Sequence, residues 1–254
     1  MATLEQCCLG LTHAAAMDHP IFSESIRRIR LLLQEQACRD PAFAVRLQGL
    51  DRLERDVLER CIHSSGDPGI AKDLAFSAGC CAAGLRALQA GATILTDTAM
   101  AAAAVAPMAR RTCGNPVHSV LEWAPLQAPP GSTRTAAGMA SALAAGDLSP
   151  GRVLVVLIGS APTALEVLLE QVAAAAEPPP ALVIGMPVGF VGVEESKRHL
   201  ARSGLPQIRL EGSRGGAALA AAACNALLRA AALQAATVPF MDVADRGEAG
   251  SAGG

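Results

Sequence analysis

The sequence predicts an α/β protein: a three-layer α/β/α domain with a five-stranded, mainly parallel sheet, preceded by N-terminal helices. Two observations carry this. From Gly91 onward, five short apolar runs alternate with five helix-like segments, the pattern of successive βα units whose sheet is covered on both faces. Before Gly91 the apolar residues recur at helical spacing only. The expected domain is 1–236, with helices over about 20–90, the α/β core over about 91–236 and a flexible tail over 237–254, where periodicity is lost.

In "FSESIRRIRLLLQEQ", Ile26, Ile29 and Leu33 fall on one helical face, and Ser23 or Ser25 is placed to cap the start. "LQGLDRLERDVLERCIH" repeats Leu50, Leu53, Val57 and Ile62, and "SAGCCAAGLRALQAG" forms a third helix stopped at Gly91. "ATILT" reads as the first strand, followed by an alanine-rich helix after Asp97. "PVHSVLEW" is a weaker strand ahead of the helix in "STRTAAGMASALAAG". "RVLVVLI" is a strong strand, and Pro162 falls in the first turn of the helix after it. "ALVIGM" and "PQIRL" complete the sheet, with helices in "VEESKRHLARSG" and beyond Gly215-Gly216.

Composition excludes several classes. The 254 residues carry 21 basic and 23 acidic side chains, a formal charge of −2, which is no footprint for nucleic acid. Aromatics are 2% and tyrosine is absent, which removes base-stacking platforms. The start lacks a basic n-region and carries Glu5. The Ala/Leu-rich run from Gly215 is broken by Asn225 and Arg229, so a core helix, and no membrane partner, is expected. Eight cysteines include the adjacent pairs Cys7-Cys8 and Cys80-Cys81 but no C-x-x-C pair; they read as reduced thiols without a metal, which points to the cytoplasm.

Ligands of an open parallel sheet bind at the carboxyl ends of its strands. The loops there are "TDTAM", the approach to "GSTRT", "IGSAPTAL", "GMPVGFVGVEESK" and "LEGSRGG". Most set glycine or a hydroxyl residue beside a helix start, where backbone N–H groups favour anions. Arg134 and Arg214 stand in two of them as candidate carboxylate clamps. Asp97 either caps the next helix or meets a ligand. No Walker lysine, G-x-G-x-x-G or G-x-S-x-G motif is present. On local sequence His63, in "ERCIHSSGD", reads as a helix-end residue.

Taken together, these loops resemble the precorrin-8X (cobalt-precorrin-8) methylmutase family of cobalamin biosynthesis, over about Pro20 to Leu228. "IGMPVGFVGVEESK" is close to that family's signature, and "TDTAM", "GSTRT", "IGSAPTAL" and "GSRGGAALAAAACNALL" follow its order and spacing. The resemblance implies an isomerase that moves a methyl group from carbon 11 to carbon 12 of ring C of precorrin-8X or cobalt-precorrin-8, giving hydrogenobyrinic or cobyrinic acid. It implies no cofactor, a corrinoid substrate and a homodimer. His63 matches the family's catalytic histidine, and Ser25 its substrate-touching serine. By motif position, substrate contacts are expected from Asp97 and Met100, from Thr133 and Arg134, from Ser160 and Ala161, from Gly189, Phe190, Val191 and Gly192, and from Arg214, Gly215 and Gly216. Gly189 and Gly192 are expected to let the backbone approach the macrocycle. Two positions depart from the pattern: Ser160 stands where asparagine is usual, and Glu24 where arginine is common. A non-catalytic corrinoid-binding protein of the same fold is the alternative.

Overall fold

The computed structural model describes residues 19–145, 153–174 and 178–237; the tail expected over 237–254 lies, from residue 238, outside them. Three helices come first: α1 (Pro20–Arg39), α2 (Pro41–Gly49) and α3 (Arg52–Ser65). Ile26, Ile29 and Leu33 form the buried face of α1, as their spacing predicts. The expected serine cap is corrected. The helix starts earlier, at Pro20, because His19 takes the cap position and its Nδ1 accepts the Ile21 N–H. That leaves the Ser25 hydroxyl inside the helix, free for another partner. Asp51 and Glu54 form a reciprocal capping box at the start of α3, and Gly66, with φ 68°, closes its end.

The sheet has six strands among the described residues, one more than expected. They are β1 (Leu74–Phe76), β2 (Thr93–Thr96), β3 (Val117–Ser119), β4 (Leu154–Ile158), β5 (Leu182–Gly185) and β6 (Gln207–Leu210), in the order β1-β6-β5-β4-β2-β3. The additional strand, β1, is three residues long and pairs antiparallel with β6, Leu74 facing Leu210; every other pairing is parallel. The Arg46 guanidinium of α2 donates to the carbonyls of Ala71 and Leu74 and so fixes the approach to this strand.

Between the strands run α4 (Cys80–Gln89), α5 (Ala99–Arg111), α6 (Arg134–Ala144), α7 (Pro162–Ala173) and α8 (Val193–Arg202), and α9 (Ala217–Thr237) follows β6. Alternation along each strand sorts the core into two layers. Val155, Leu157 and Ile184 face α4, α5 and α9, beyond which lie α1 and α3. Leu154, Val156, Ile158 and Val183 face α6, α7 and α8. The segment Ala217–Ala235 of α9 is apolar and long enough to cross a membrane, but its residues are mostly buried inside the protein, packed against α3, α4 and α5.

Asn115, fully within the core, ties the turn before β2 to the start of β3: its Nδ2 donates to Leu88 O (3.0 Å) and Ala92 O (2.8 Å). Replacing it by alanine removes the side-chain donor from both carbonyls and leaves Leu88 O with backbone N–H donors such as that of Gly91 (3.1 Å). Asn115→Ala is therefore expected to lose about 1–3 kcal/mol of stability, measured as a lower urea midpoint with unchanged slope.

Candidate active site at the carboxyl edge

Because β2 to β6 run parallel, their carboxyl ends and the loops after them share one edge. The chain leaves β2 toward β3 on one side and returns to β4 on the other, so the topological switch point lies between β2 and β4. Asp97 sits there, fully buried. Its Oδ2 accepts the N–H groups of Gly159 (3.1 Å), Ser160 (2.6 Å) and Ala161 (2.8 Å), all in the loop entering α7. Oδ1 is buried without a hydrogen-bond partner. Burial raises the carboxyl's pKa, and the three N–H donors oppose the rise.

For Asp97 the helix-cap alternative is corrected. Thr98, not Asp97, caps α5, accepting the Ala101 N–H. The anion-binding nest before α7 is real, but it holds the protein's own carboxylate. The N–H groups of Ser160 and Ala161 are thus already engaged.

Beside it, Thr133 caps α6 and its Oγ1 lies 2.7 Å from Thr163 Oγ1 at the start of α7. The two helix N-termini stand side by side. Arg134 occupies the first turn, with Nε donating to Pro125 O (2.9 Å) and its side chain exposed. Met100, in the first turn of α5, is exposed as well.

On the other side of β4, the β5–α8 loop projects outward. Phe190 is 96% exposed and Val191 87%, an uncommon placement for large apolar side chains. Gly192 takes φ 70° as the residue before α8, and Gly189 takes φ 140°; both are backbone conformations that disfavour a side chain. This loop is laced to the β6–α9 turn: Gly189 N–H donates to Ser213 O (3.0 Å), and Gly216 N–H to Met186 O (2.9 Å). A Cβ on Gly215 would stand 2.1 Å from Met186 O. That glycine is required by contact between two protein backbones.

Arg214 is engaged within the protein as well. Its guanidinium reaches Asp67 Oδ2 (2.5 Å) and Asp73 Oδ2, and donates to Gly69 O (3.4 Å). It clamps two carboxylates of this chain, across the segment that follows α3.

That segment brings the end of α3, with His63, to the β6 side of the edge. Ser25 and His63, 38 residues apart, meet there: Ser25 Oγ lies 2.7 Å from His63 Nδ1. Phe22 packs its ring edge-to-face with the imidazole at 5.0 Å, and the Arg60 guanidinium lies 4.6 Å over Phe22. Burial, then the nearby Arg60 charge, lowers the His63 pKa below the ordinary histidine value. A cavity of about 200 Å³ opens beside Phe22 between α1, α3 and α9, lined in part by Arg30, Asp56 and Glu59. Glu24, the departure one residue before Ser25, pairs with Arg27 and Arg28, which hold its carboxyl at about 2.

The family model for precorrin-8X methylmutase matches residues 20–230. The chain belongs to the precorrin-8X methylmutase family. It is thereby an isomerase of cobalamin biosynthesis. It is 35% identical to a cobalt-precorrin-8 methylmutase of Synechocystis, over 84% of this chain and 95% of the relative. It is 45% identical to a precorrin-8X methylmutase of Pseudomonas aeruginosa, over 66% and 80%. A crystal structure of the precorrin-8X methylmutase from Thermus thermophilus superposes with a TM-score of 0.67 at 38% identity, covering 84% of this chain and 98% of that one.

Phe22, Arg60 and Lys197 were missed by the sequence reading. Only Lys197 carried a signal. Val193, Ser196, Lys197 and Leu200 form the buried stripe of α8 at helical spacing, so a lysine stands where an apolar residue is expected.

Removing the Asp97 carboxylate strands three N–H donors. Asp97→Ala is expected to cost at least about 2 kcal/mol in denaturant unfolding, whereas Asp97→Asn, which keeps an acceptor oxygen, should cost distinctly less.

Proposed function

We propose that the protein isomerises precorrin-8X or its cobalt analogue by moving the methyl group from carbon 11 to carbon 12 of ring C, with His63 as general acid. The observation that carries the residue assignment is the Ser25–His63 contact at 2.7 Å. The serine hydroxyl holds one imidazole nitrogen and orients the ring, which directs Nε2 toward the substrate. In the reaction the C11–CH3 bond breaks as the C12–CH3 bond forms, and no atom is gained or lost. A proton lent to the ring C region lowers the barrier to migration and returns to the imidazole afterwards. Such groups typically contribute about 10²–10⁴-fold in rate.

The macrocycle is flat and ringed with carboxylates. The exposed Phe190 and Val191 supply apolar surface to one side of it. The exposed Arg134 at the start of α6 offers a bidentate contact to a carboxylate. With most N–H donors near Asp97 engaged, binding rests on these side chains and on the loop backbones around Gly189–Gly192. The same exposed apolar residues favour a homodimer that covers part of this edge, and the free cysteines among the described residues fit a reducing cytoplasm.

The deciding experiment adds precorrin-8X to the purified protein and follows the visible spectrum. Conversion to the hydrogenobyrinic acid spectrum supports the proposal; a shifted but static spectrum identifies a carrier instead. His63→Ala is expected to lose about 10²–10⁴-fold in single-turnover rate while still retaining coloured product. Arg134→Ala should lose more in binding than in rate.

The pH dependence has a definite sign. An acid must be protonated, so activity is present below the His63 pKa and lost as pH rises through it. Because burial and Arg60 lower that pKa in the free protein, kcat/KM should fall with a midpoint below the ordinary histidine value. The midpoint in kcat should lie higher, because bound carboxylates favour the imidazolium. Coincident midpoints at or above the ordinary value would count against His63 as the acid.

A further inference from the structure

Among the described residues, Lys197 is the largest side chain that the core fully encloses. Its Nζ donates to two backbone carbonyls of the β6–α9 turn, Gly212 O (2.6 Å) and Arg214 O (2.7 Å). A buried ammonium is costly, and burial brings its pKa down to about 8; Glu211 and Glu194 oppose the fall, so the group remains a cation at neutral pH. A methionine of similar length would fill the same space without that cost. The charge is therefore spent on holding the turn.

The turn in turn holds something else. Arg214, whose carbonyl Lys197 grips, extends its side chain to Asp67 and Asp73 and to Gly69 O. Asp67 follows Gly66, the residue that closes α3 three positions after His63. Asp73 precedes β1, and its carbonyl accepts the Glu211 N–H at 2.9 Å. The contacts run in series from α8, through the turn, to the end of the helix that carries the imidazole.

We propose that Lys197 and Arg214 act as a two-link tether that sets the position of His63 over the carboxyl edge. Both are positioning residues. The tether rests on the reading of His63 as the acid. In it, Lys197 fixes where the Arg214 backbone lies, and Arg214 fixes the segment 67–73. Neither touches the substrate. A displacement of about 1 Å at a reacting group is enough to cost on the order of 10²-fold in rate, so a tether of this kind is felt in turnover before it is felt in binding.

The test uses the full chain and three variants: Lys197→Met, Arg214→Met and the double variant. Amide hydrogen exchange is followed in 212–216 and in 67–73. Lys197→Met is expected to raise exchange in both segments, and Arg214→Met in 67–73 alone. Each single variant should slow single turnover about 10- to 100-fold while retention of hydrogenobyrinic acid changes by a smaller factor. Links in series do not add, so the double variant should be no slower than the slower single one. Multiplying rate losses, or exchange in 67–73 that Lys197→Met leaves unchanged, overturns the tether. Arg214 is half-exposed, so Arg214→Met carries the test if Lys197→Met does not fold: unchanged exchange in 67–73 in that variant also overturns it. If the wild-type protein leaves precorrin-8X unconverted, the functional reading fails, and the exchange measurements still decide whether the tether exists.

Discussion

One carboxylate oxygen organises the working edge of this protein. Asp97 ends β2 and accepts three successive N–H groups from the loop after β4. An open α/β sheet parts its crossovers at this switch point, which leaves a crevice between neighbouring strand ends. Here that crevice is closed internally. The start of α7 is anchored to β2, and through the Thr133–Thr163 contact the start of α6 is anchored to α7. Three of the loops that form the edge thus refer back to one buried group.

Two strategies for handling anions coexist on this edge. Near the switch point a nest of N–H groups is satisfied by an internal acid. At the β6 end, a cation that could meet a ligand is satisfied by Asp67 and Asp73. Both choices convert local electrostatics from recognition into rigidity. What stays open to a ligand is different in kind: Phe190, Val191 and Met100 are apolar, and Arg134 keeps its guanidinium in solvent. A flat, partly apolar macrocycle with acids at its rim suits such a surface better than a compact phosphate does.

The parallel strands were legible because a strand buried on both faces is a continuous apolar run, and the brevity and β-branched content of "LVVLI" favour a strand over a buried helix. β1 was not legible: three residues, half-buried, are too few to show a period, and the strand exists through pairing with a segment far along the chain and through Arg46. At the site, local sequence placed the right loops on one edge but could not say what fills them. Whether Arg214 meets a ligand or an aspartate depends on residues 141 and 147 positions away. Whether the nest before α7 is free depends on Asp97, 62 to 64 positions earlier. His63 was unremarkable in its own helix, and only its match to a family pattern singled it out; the partner that orients it, Ser25, comes from another helix.

The two outer strands, β1 and β3, are each three residues long. Unpaired strand edges are templates on which sheets grow from one molecule to the next, and edges this short offer little to template on. Lateral sheet growth is thereby discouraged at both flanks. A protein that keeps Phe190 and Val191 in solvent has reason to guard its flanks, because any stickiness is then confined to the carboxyl edge of the sheet.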